Sequence, residues 1–409
     1  MEGLMTARRA TVILVIFSSI LSFIQTSSSQ QIQILTAERR IDLTSHIVRV
    51  YLTLKVENIG TSPAAEILLA FPPTQAEHLA LIKAASIEGK RKKRTIVPLD
   101  VNPTELPDTP NGAQLFSVSL QKPLNTGETV TLEVLLILTH SLEPFPTEIG
   151  QSDSQLVYYR DSAIILSPYN IIEQTTYVKT PSTKLESYTR VDPTNRAGTE
   201  LKYGRYDDRS PYSFSPIIVH FENNHPFAVV EELERELEVS HWGSLQITER
   251  YKLVHAGAKH KGVFSRVEYQ SRPSVSGVSS FKNLLARLPP RVHSVYYRDE
   301  IGNISTSHLR ADSQKVVLPE GSKDPFSVAP FTVEQSLERS YSYLDVVGRH
   351  VVVLKKENIV PEHTIPFQVY YKFNPIFMLA EPLMLVSVFF LLFVACIAYL
   401  HIDLSIRKS

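Results

Sequence analysis

An uncharged apolar stretch near the C-terminus constrains this chain more than any other feature. It runs from Leu383 to Leu400 and reads LMLVSVFFLLFVACIAYL, without one charged residue. At about 1.5 Å per residue this helix would be roughly 27 Å long, close to the ~30 Å hydrocarbon core of a bilayer. Core helices of soluble proteins rarely stay apolar on every side for this length. We therefore expect a transmembrane helix over residues 376–400.

The N-terminal residues have the order of a secretory signal peptide. Arg8 and Arg9 supply a positive n-region, residues 11–24 an apolar h-region, and residues 27–29 a small polar cleavage zone. An uncleaved N-terminal anchor is the alternative interpretation. We interpret residues 1–29 as a signal peptide, so the body of the chain would be translocated.

The expected topology is that of a single-pass type I membrane protein. Residues 401–409 would form a cytosolic tail, where Arg407 and Lys408 agree with the positive-inside rule. The tripeptide Asn303-Ile304-Ser305 is an N-glycosylation acceptor, which fits a translocated body. A chance tripeptide is the alternative.

Composition indicates a β-rich body without structural disulfides. Pro outnumbers Gly by 26 to 15, and Tyr and Phe contribute 18 residues each, as in turn-rich β proteins. The only cysteine, Cys396, lies in the apolar stretch, so no intrachain disulfide can form. Lys+Arg and Asp+Glu are both 42, and a net charge of zero gives no argument for nucleic acid as a partner.

Apolar and polar residues alternate in short runs along residues 30–221. The clearest runs are Ile47–Asn58, Glu66–Phe71 and Thr129–His140, separated by Pro, Gly, Asn and Ser. Alternation with a period of two is typical of half-buried strands. We expect a first β domain over residues 30–221, built as a sandwich.

A second β domain is expected over residues 222–375, leading into the membrane helix with almost no linker. Within it we expect a helix or polar edge strand over Glu231–Val239, and paired strands over Leu245–Leu253 and Lys261–Tyr269. A short helix is expected over Phe281–Leu288. A two-residue hairpin is expected at Gly348-Arg349, between strands over Tyr341–Val347 and His350–Leu354. The predicted fold class is mainly β, with two tandem β-sandwich-like domains followed by one transmembrane helix.

A basic run, Lys90–Arg94, interrupts the first domain. A solvated hairpin tip is the interpretation we favour. A contact for acidic partners and a dibasic processing site are the alternatives, and no second feature supports either.

The sequence shows no residue set typical of an enzyme. It contains no GxSxG motif, and Cys396 is excluded as a nucleophile by its position. His255 and His260 lie five residues apart, off the four-residue spacing of a helical zinc pair. Asp299-Glu300 fits a charged turn better than a cation site. We expect no catalytic, cofactor-binding or metal-binding residues, and a scaffold or binding role.

Several stretches then carry a resemblance to a known family. They are Glu238–Gly243 (EVSHWG), Val295–Leu309 (VYYRDEIGNISTSHL), Val317–Gly321, Tyr343–Asp345 with Gly348-Arg349, and Lys372–Asn374 before Glu381–Leu383. Together they closely resemble the ribophorin I family, a non-catalytic subunit of the oligosaccharyltransferase of the endoplasmic reticulum. The resemblance covers the whole translocated part and the anchor, and is weaker in the first half.

The resemblance implies a structural role without cofactors in the endoplasmic reticulum membrane. The complex transfers a lipid-linked oligosaccharide en bloc to Asn of Asn-x-Ser/Thr in nascent chains. The implied partners are the other subunits including the catalytic one, the nascent polypeptide and the lipid bilayer, with the translocon as a further candidate and no nucleic acid. From the residues alone, a single-pass cell-surface receptor or adhesion ectodomain and a membrane-bound glycosidase or transferase stay open as alternatives.

One departure from the family lies between Gln314 and Lys315. Here the family carries a further block of strands, whereas this chain runs straight on. Loss of strands would leave apolar surface and open sheet edges. We therefore predict a second domain that is less stable than in its relatives, or that is not folded as theirs is.

Small residues within the apolar stretch predict a packing face. Ser387 and Ala395 lie eight apart, on roughly one side of a helix. Small side chains permit close approach of a second helix. Because most membrane spans contain small residues, a lipid-facing position is the alternative.

Overall fold

A computed structural model describes residues 32–88, 95–105, 109–272, 278–281, 297–298, 303–304, 314–319, 322–341, 345 and 347–401. The interpretations of the signal peptide, of Lys90–Arg94, of the tail beyond His401 and of the helix expected after Phe281 lie outside these residues.

Strands dominate the described residues, which confirms the prediction of a mainly β protein. The strands of the first part are β1 (Ile32–Asp42), β2 (Val48–Asn58), β3 (Ala64–Phe71), β4 (Leu79–Glu88), β5 (Thr95–Leu99), β6 (Val101–Thr104), β7 (Gln114–Leu124), β8 (Thr129–Leu138), β9 (Leu142–Pro144), β10 (Glu148–Ile149), β11 (Leu156–Ser162), β12 (Asn170–Lys179), β13 (Leu185–Tyr188), β14 (Thr194–Ala197), β15 (Glu200–Arg209) and β16 (Pro216–Glu222).

The remaining strands are β17 (Ala228–Val239), β18 (Leu245–His255), β19 (Lys259–His260), β20 (Tyr297–Arg298), β21 (Asn303–Ile304), β22 (Gln314–Val317), β23 (Ser322–Val328), β24 (Glu334–Ser340), β25 (Arg349–Lys355) and β26 (Gln368–Phe373). The α-helices are α1 (Pro73–Glu77), α2 (Arg266–Ser271) and α3 (Ala380–His401), and short 3-10 turns cover Pro110–Gly112, Pro361–His363 and Pro375–Leu379.

The chain divides into two compact units. The first contains the residues up to Pro146 together with Ser154–His225, and the second contains Thr147–Asp153 together with the residues from Pro226 onward. Neither the expected domain limits nor the expected arrangement as two sandwiches is tested by this division, and both stay predictions.

The first unit is built on an eight-stranded sheet in the order β14-β15-β12-β1-β2-β8-β4-β5. Its pairs are antiparallel except for β1 and β12, which run parallel with Gln33 opposite Asn170. A four-stranded sheet (β13-β16-β11-β9) and a three-stranded sheet (β3-β7-β6) complete the unit.

Alternation along β2 shows why these residues form strands. Val48, Val50, Leu52, Leu54 and Val56 are buried, and the residues between them point away from the core. Burying one face of each strand supplies most of the free energy that holds such a sheet together, at roughly 25 cal/mol per Å² of apolar surface.

The second unit has a five-stranded sheet in the order β18-β17-β22-β25-β24 and three two-stranded sheets, β10-β19, β20-β21 and β23-β26. Its core lies on both faces of β22 and β25. Val316, Leu318 and Val352 form the cluster on one face, and Val317, Val351 and Val353 the cluster on the other. The parallel pairing of β17 with β22 covers only Glu236–Glu238 of the long strand β17.

Two sequence-based expectations for the second unit are wrong. Leu245–Leu253 is a strand, but it pairs with β17 and not with Lys261–Tyr269. Part of that second segment is helix α2, whose first turn is capped by Ser265: the Glu268 N–H donates to Ser265 Oγ at 3.3 Å. Serine followed three residues later by glutamate is a helix-start signal, which outweighs the short alternating pattern.

The expected two-residue hairpin at Gly348-Arg349 is also wrong. The antiparallel pair is β24 with β25, in which Ser340 lies opposite Arg349. Arg349 is thus itself a paired strand residue, and its partner strand β24 ends at Ser340; most of the strand expected over Tyr341–Val347 lies outside the described residues. Glu231–Val239, left open between helix and strand, belongs to strand β17.

Candidate functional site

The C-terminal helix is the clearest functional element of the described structure. Together with its preceding 3-10 turn it covers Pro375–His401 and is long and apolar enough to cross a membrane. No residue of its most apolar 18-residue segment is buried against the rest of the described chain. The 22 residues of α3 correspond to roughly 33 Å of helix, which matches the ~30 Å hydrocarbon core.

The two residues predicted as a packing face both lie exposed on α3. The Ser387 hydroxyl donates a hydrogen bond of 2.7 Å to the backbone carbonyl of Leu383, one turn earlier. This bond satisfies the hydroxyl inside its own helix, so Ser387 can face an apolar environment without an unpaired donor. The packing of Ser387 and Ala395 against another helix stays a prediction.

The predicted glycosylation acceptor lies in a short β-ladder. Asn303 is the first residue of β21 and is opposite Arg298 of β20. Asp299 and Glu300, the pair considered as a cation site, lie between these two strands and outside the described residues. Modification of Asn303 stays a prediction.

Stretches that resemble one family converge in the second unit. Arg349, at the start of β25, forms ion pairs with Glu238 of β17 (Nη1 to Oε1, 2.6 Å) and with Asp345 (Nε to Oδ2, 3.1 Å). The side chains of Arg349 and Asp345 are only 13% and 1% exposed. The His241 ring lies 5.9 Å from that of Phe373, centroid to centroid. Sequence reasoning did not predict these contacts, although it singled out the stretches that make them.

A buried polar cluster lies in the first unit. Asp161 accepts hydrogen bonds from Gln75 Nε2 (2.7 Å), Tyr159 Oη (2.6 Å) and the Ser162 N–H (2.7 Å), and its Oδ2 lies 3.4 Å from Arg39 Nη1. Burial and the nearby Asp161 carboxylate hold the pKa of the Tyr159 hydroxyl well above its usual value. Arg39 also donates to the Ser162 carbonyl. These bonds tie β1, β11 and α1 together.

The depression beside this cluster is small. Its free space amounts to about 20 Å³, enough for about one water molecule, and apolar residues such as Phe71, Leu136 and Ile164 line much of it. A sugar or peptide does not fit there. We assign the Arg39–Asp161 cluster a structural role.

Within the part of the chain that the structure describes, no group of three or more His, Cys, Asp or Glu side chains could hold a metal ion. His255 ends β18 and lies 5.4 Å from the Phe281 ring, centroid to centroid, while His260 lies in β19 beside Phe264. Desolvation lowers the pKa of His255. The two histidines thus pack separately against aromatic rings.

These features define a class: mainly β proteins with a C-terminal helix able to span a membrane. The family model described as Ribophorin I matches residues 32–315 and 313–400, nearly the whole described chain. The chain therefore belongs to the ribophorin I family, as its sequence resemblance predicts.

Two plant relatives align over almost their full length. The chain is 58% identical to "Dolichyl-diphosphooligosaccharide--protein glycosyltransferase subunit 1B" of Arabidopsis thaliana, covering 98% of this chain and 100% of the relative. It is 60% identical to the protein of the same name from Oryza sativa subsp. japonica, covering 92% and 93%. Among solved structures, yeast LTA4 hydrolase in complex with bestatin aligns over 51% of this chain and 31% of that chain. The TM-score is 0.31 and the identity 10%, a likeness too weak to assign a shared fold.

The alignments also agree with an internal block missing from this chain. The Arabidopsis alignment extends over 463 residues, more than the 409 residues of the chain. The two matches to the family model meet at residues 313–315, where the sequence predicts the missing block between Gln314 and Lys315. Strand β22 begins at this junction.

Proposed function

We propose that the protein is a non-catalytic structural subunit of the oligosaccharyltransferase complex of the endoplasmic reticulum. The observation that carries this proposal is the 58% identity over the full length of a relative named as subunit 1B of this transferase. The complex transfers a lipid-linked oligosaccharide to Asn of Asn-x-Ser/Thr in nascent chains. In the proposed role the β-rich body works by contact: it holds the complex together and helps to present the polypeptide.

The proposed topology places the body in the lumen and α3 in the membrane, as a single-pass type I protein. The apolar helix supports a membrane span, and the acceptor tripeptide at Asn303 supports a luminal body. The proposed partners are the other subunits including the catalytic one, the nascent polypeptide, the bilayer and the translocon.

The shortened second unit is proposed to be less stable than that of longer relatives. Two features support this: β22, at the junction, pairs with β17 over three residues only, and apolar side chains such as Leu245 and Val267 are more than half exposed. Thermal melting of this chain beside a longer relative tests the proposal. Equal melting temperatures would overturn it.

Affinity purification of the tagged full chain from detergent-solubilised microsomes tests the proposed complex. We expect the other oligosaccharyltransferase subunits to co-purify, including the catalytic one. A tagged single-pass protein of the same membrane, unrelated in sequence, controls for non-specific capture. Recovery of the chain alone at the cell surface would instead support a receptor or adhesion protein.

A further inference from the structure

The two-stranded sheet β23-β26 exposes one face of unusual composition. Phe326 lies opposite Tyr370 and Val328 lies opposite Gln368, so these four side chains share one side of the ladder with Lys372. We call these five residues the juxtamembrane face. Phe326, Val328 and Tyr370 are 54%, 55% and 47% exposed, and the rings of Phe326 and Tyr370 stack with their centroids 5.1 Å apart.

The opposite side of the same sheet covers the core of the second unit. Val369 packs against the cluster of Val316, Leu318 and Val352. The juxtamembrane face is therefore turned outward by the packing of its own sheet. Because alternate residues of a strand point to opposite sides, the partial burial of Val369 places Tyr370 on the outward side.

This face is joined to the membrane helix by very little chain. Strand β26 ends at Phe373, a 3-10 turn covers Pro375–Leu379, and α3 begins at Ala380. Five residues at about 2.0 Å per residue make the turn roughly 10 Å long. Ile376 and Leu379 in this turn are 66% and 53% exposed. Apolar exposure thus continues from the helix through the turn to the sheet.

The residue types match the head-group layer of a bilayer. Tyrosine and lysine combine an apolar body with a polar tip and are favoured at membrane–water interfaces. Here Lys372 Nζ reaches Asp324 at 2.9 Å while both side chains stay largely exposed. The polar tips therefore border the stacked rings, as an interfacial surface requires.

On the basis of the membrane anchor proposed above, we propose that the juxtamembrane face lies in the head-group layer of the bilayer and binds lipid directly. The β23-β26 sheet then fixes how the second unit stands on the membrane. A protein subunit covering the same face is the competing occupant.

Site-directed spin labelling of the full chain tests this assignment. In a Cys396→Ser background, single cysteines are introduced by Val328→Cys in the face and by Leu337→Cys as the matched control, since Leu337 is an equally exposed apolar residue (56%) in β24 of the same unit. Val388→Cys, in the middle of α3, reports the anchor. The chains are reconstituted in vesicles of phosphatidylcholine and phosphatidylethanolamine, and each label is tested for collision with oxygen and with an aqueous nickel chelate.

We expect the ratio of oxygen to nickel collisions to be several-fold higher at Val328→Cys than at Leu337→Cys, and highest at Val388→Cys. If the label at 388 is exposed to lipid but the ratios at 328 and 337 are equal, the proposed lipid contact of the juxtamembrane face is wrong, while the proposed membrane anchor stands. An aqueous label at 388 would overturn both. Phe326→Cys is the second face variant should Val328→Cys fail to fold. Protection of the 328 label only after the other subunits are added would assign the face to a protein.

Discussion

The Arg349 Nη1 atom lies 2.6 Å from the Glu238 Oε1 atom, across 111 residues of sequence. Between the two strands that carry these residues lies β22, because Glu238 pairs with Val317 and Val317 pairs with Val351. The ion pair thus braces β17 and β25 across the strand that begins at the junction. It lies in the part of the sheet where neighbouring strands pair over the fewest residues, since β17 and β22 pair over three residues only.

Removal of the Arg349 side chain is expected to destabilise the second unit. Arg349→Gln breaks the ion pair with the Asp345 carboxylate, which is 1% exposed, and breaking a buried pair in this way costs about 3 kcal/mol. Urea unfolding of the full chain in detergent, followed by Trp242 fluorescence, measures the change in the free energy of unfolding. Lys252→Gln, which breaks the exposed pair with Glu231, is the control and should leave this free energy unchanged. Equal effects of both variants would contradict the bracing role.

Replacement of Gly348 is expected to cost more than replacement of a glycine in open space. Gly348 has a φ of +80°, and an added Cβ would lie 2.7 Å from Tyr341 Cε1. Gly243 has a φ of +81° with no atom within 4 Å of that position. Both alanine variants should lose about 1 kcal/mol from backbone strain. We expect an additional loss for Gly348→Ala that disappears in a Tyr341→Ala background, measured as a double-mutant cycle.

Alkaline pH is expected to weaken the first unit through Tyr169. Burial raises the pKa of the Tyr169 hydroxyl from 10 to about 12. The folded state favours the neutral phenol, so the raised pKa adds about 3 kcal/mol to the free energy of unfolding. This stabilisation is complete below pH ~10 and is lost as the pH rises towards about 12. In urea unfolding across this pH range, the free energy of unfolding should fall less steeply with pH for Tyr169→Phe than for the unchanged chain.

The same Tyr169→Phe variant should be slightly less stable at neutral pH. The Leu68 N–H donates to the Tyr169 hydroxyl at 2.9 Å, and the variant leaves this donor unpaired, which costs about 1 kcal/mol. Tyr51→Phe, at an exposed position, supplies the baseline for loss of a tyrosine hydroxyl. An alkaline profile of Tyr169→Phe identical to that of the unchanged chain would contradict the assignment.

Asn303 is expected to carry the glycan that the acceptor tripeptide predicts. Asn303→Gln should abolish the mobility shift produced by endoglycosidase treatment of the chain from microsomes, since glutamine does not serve as an acceptor. Ser305→Ala removes the hydroxyl of the tripeptide and should have the same effect, whereas Ser305→Thr preserves the shift. A shift that survives Asn303→Gln would place the glycan elsewhere.

Larger side chains on the proposed packing face of α3 are expected to reduce assembly. Ser387→Leu with Ala395→Leu fills the space that a neighbouring helix would occupy. Co-purification of the other subunits should fall in the double variant while insertion in the membrane is retained. Leu385→Phe with Leu392→Phe, elsewhere on the helix, controls for added bulk. Unchanged co-purification would assign the face to lipid.

Local patterns predict the elements of this fold better than they predict which strands pair. The alternation along β2 and β8 and the apolar composition of α3 each lie in one continuous segment, so the sequence indicates them directly. Helix α2 is hard to predict because Ser265 and Glu268 carry its start signal inside an apparent strand. The parallel pairing of β1 with β12 has no local signature, since it depends on residues far apart in the chain.

Residues that take part in interactions can likewise be predicted from local sequence only in part. Ser387, Ala395 and Asn303 are recognisable by type and spacing alone. The ion pairs of Arg349 and the Arg39–Asp161 cluster depend on strands that meet only in the folded sheet, so no spacing rule identifies them. Sequence resemblance singled out Glu238 and Arg349 as residues but not as partners.

Strand β1 is synthesised first among the described strands, yet its parallel neighbour β12 begins only at Asn170. Until the ribosome has delivered that later segment, β1 and β2 can pair as a hairpin while the other edge of β1 stays uncovered. The centre of the largest sheet is therefore completed late. While the chain is being synthesised, this uncovered edge of β1 can pair with the edge of another chain, so aggregation competes with completion of the sheet.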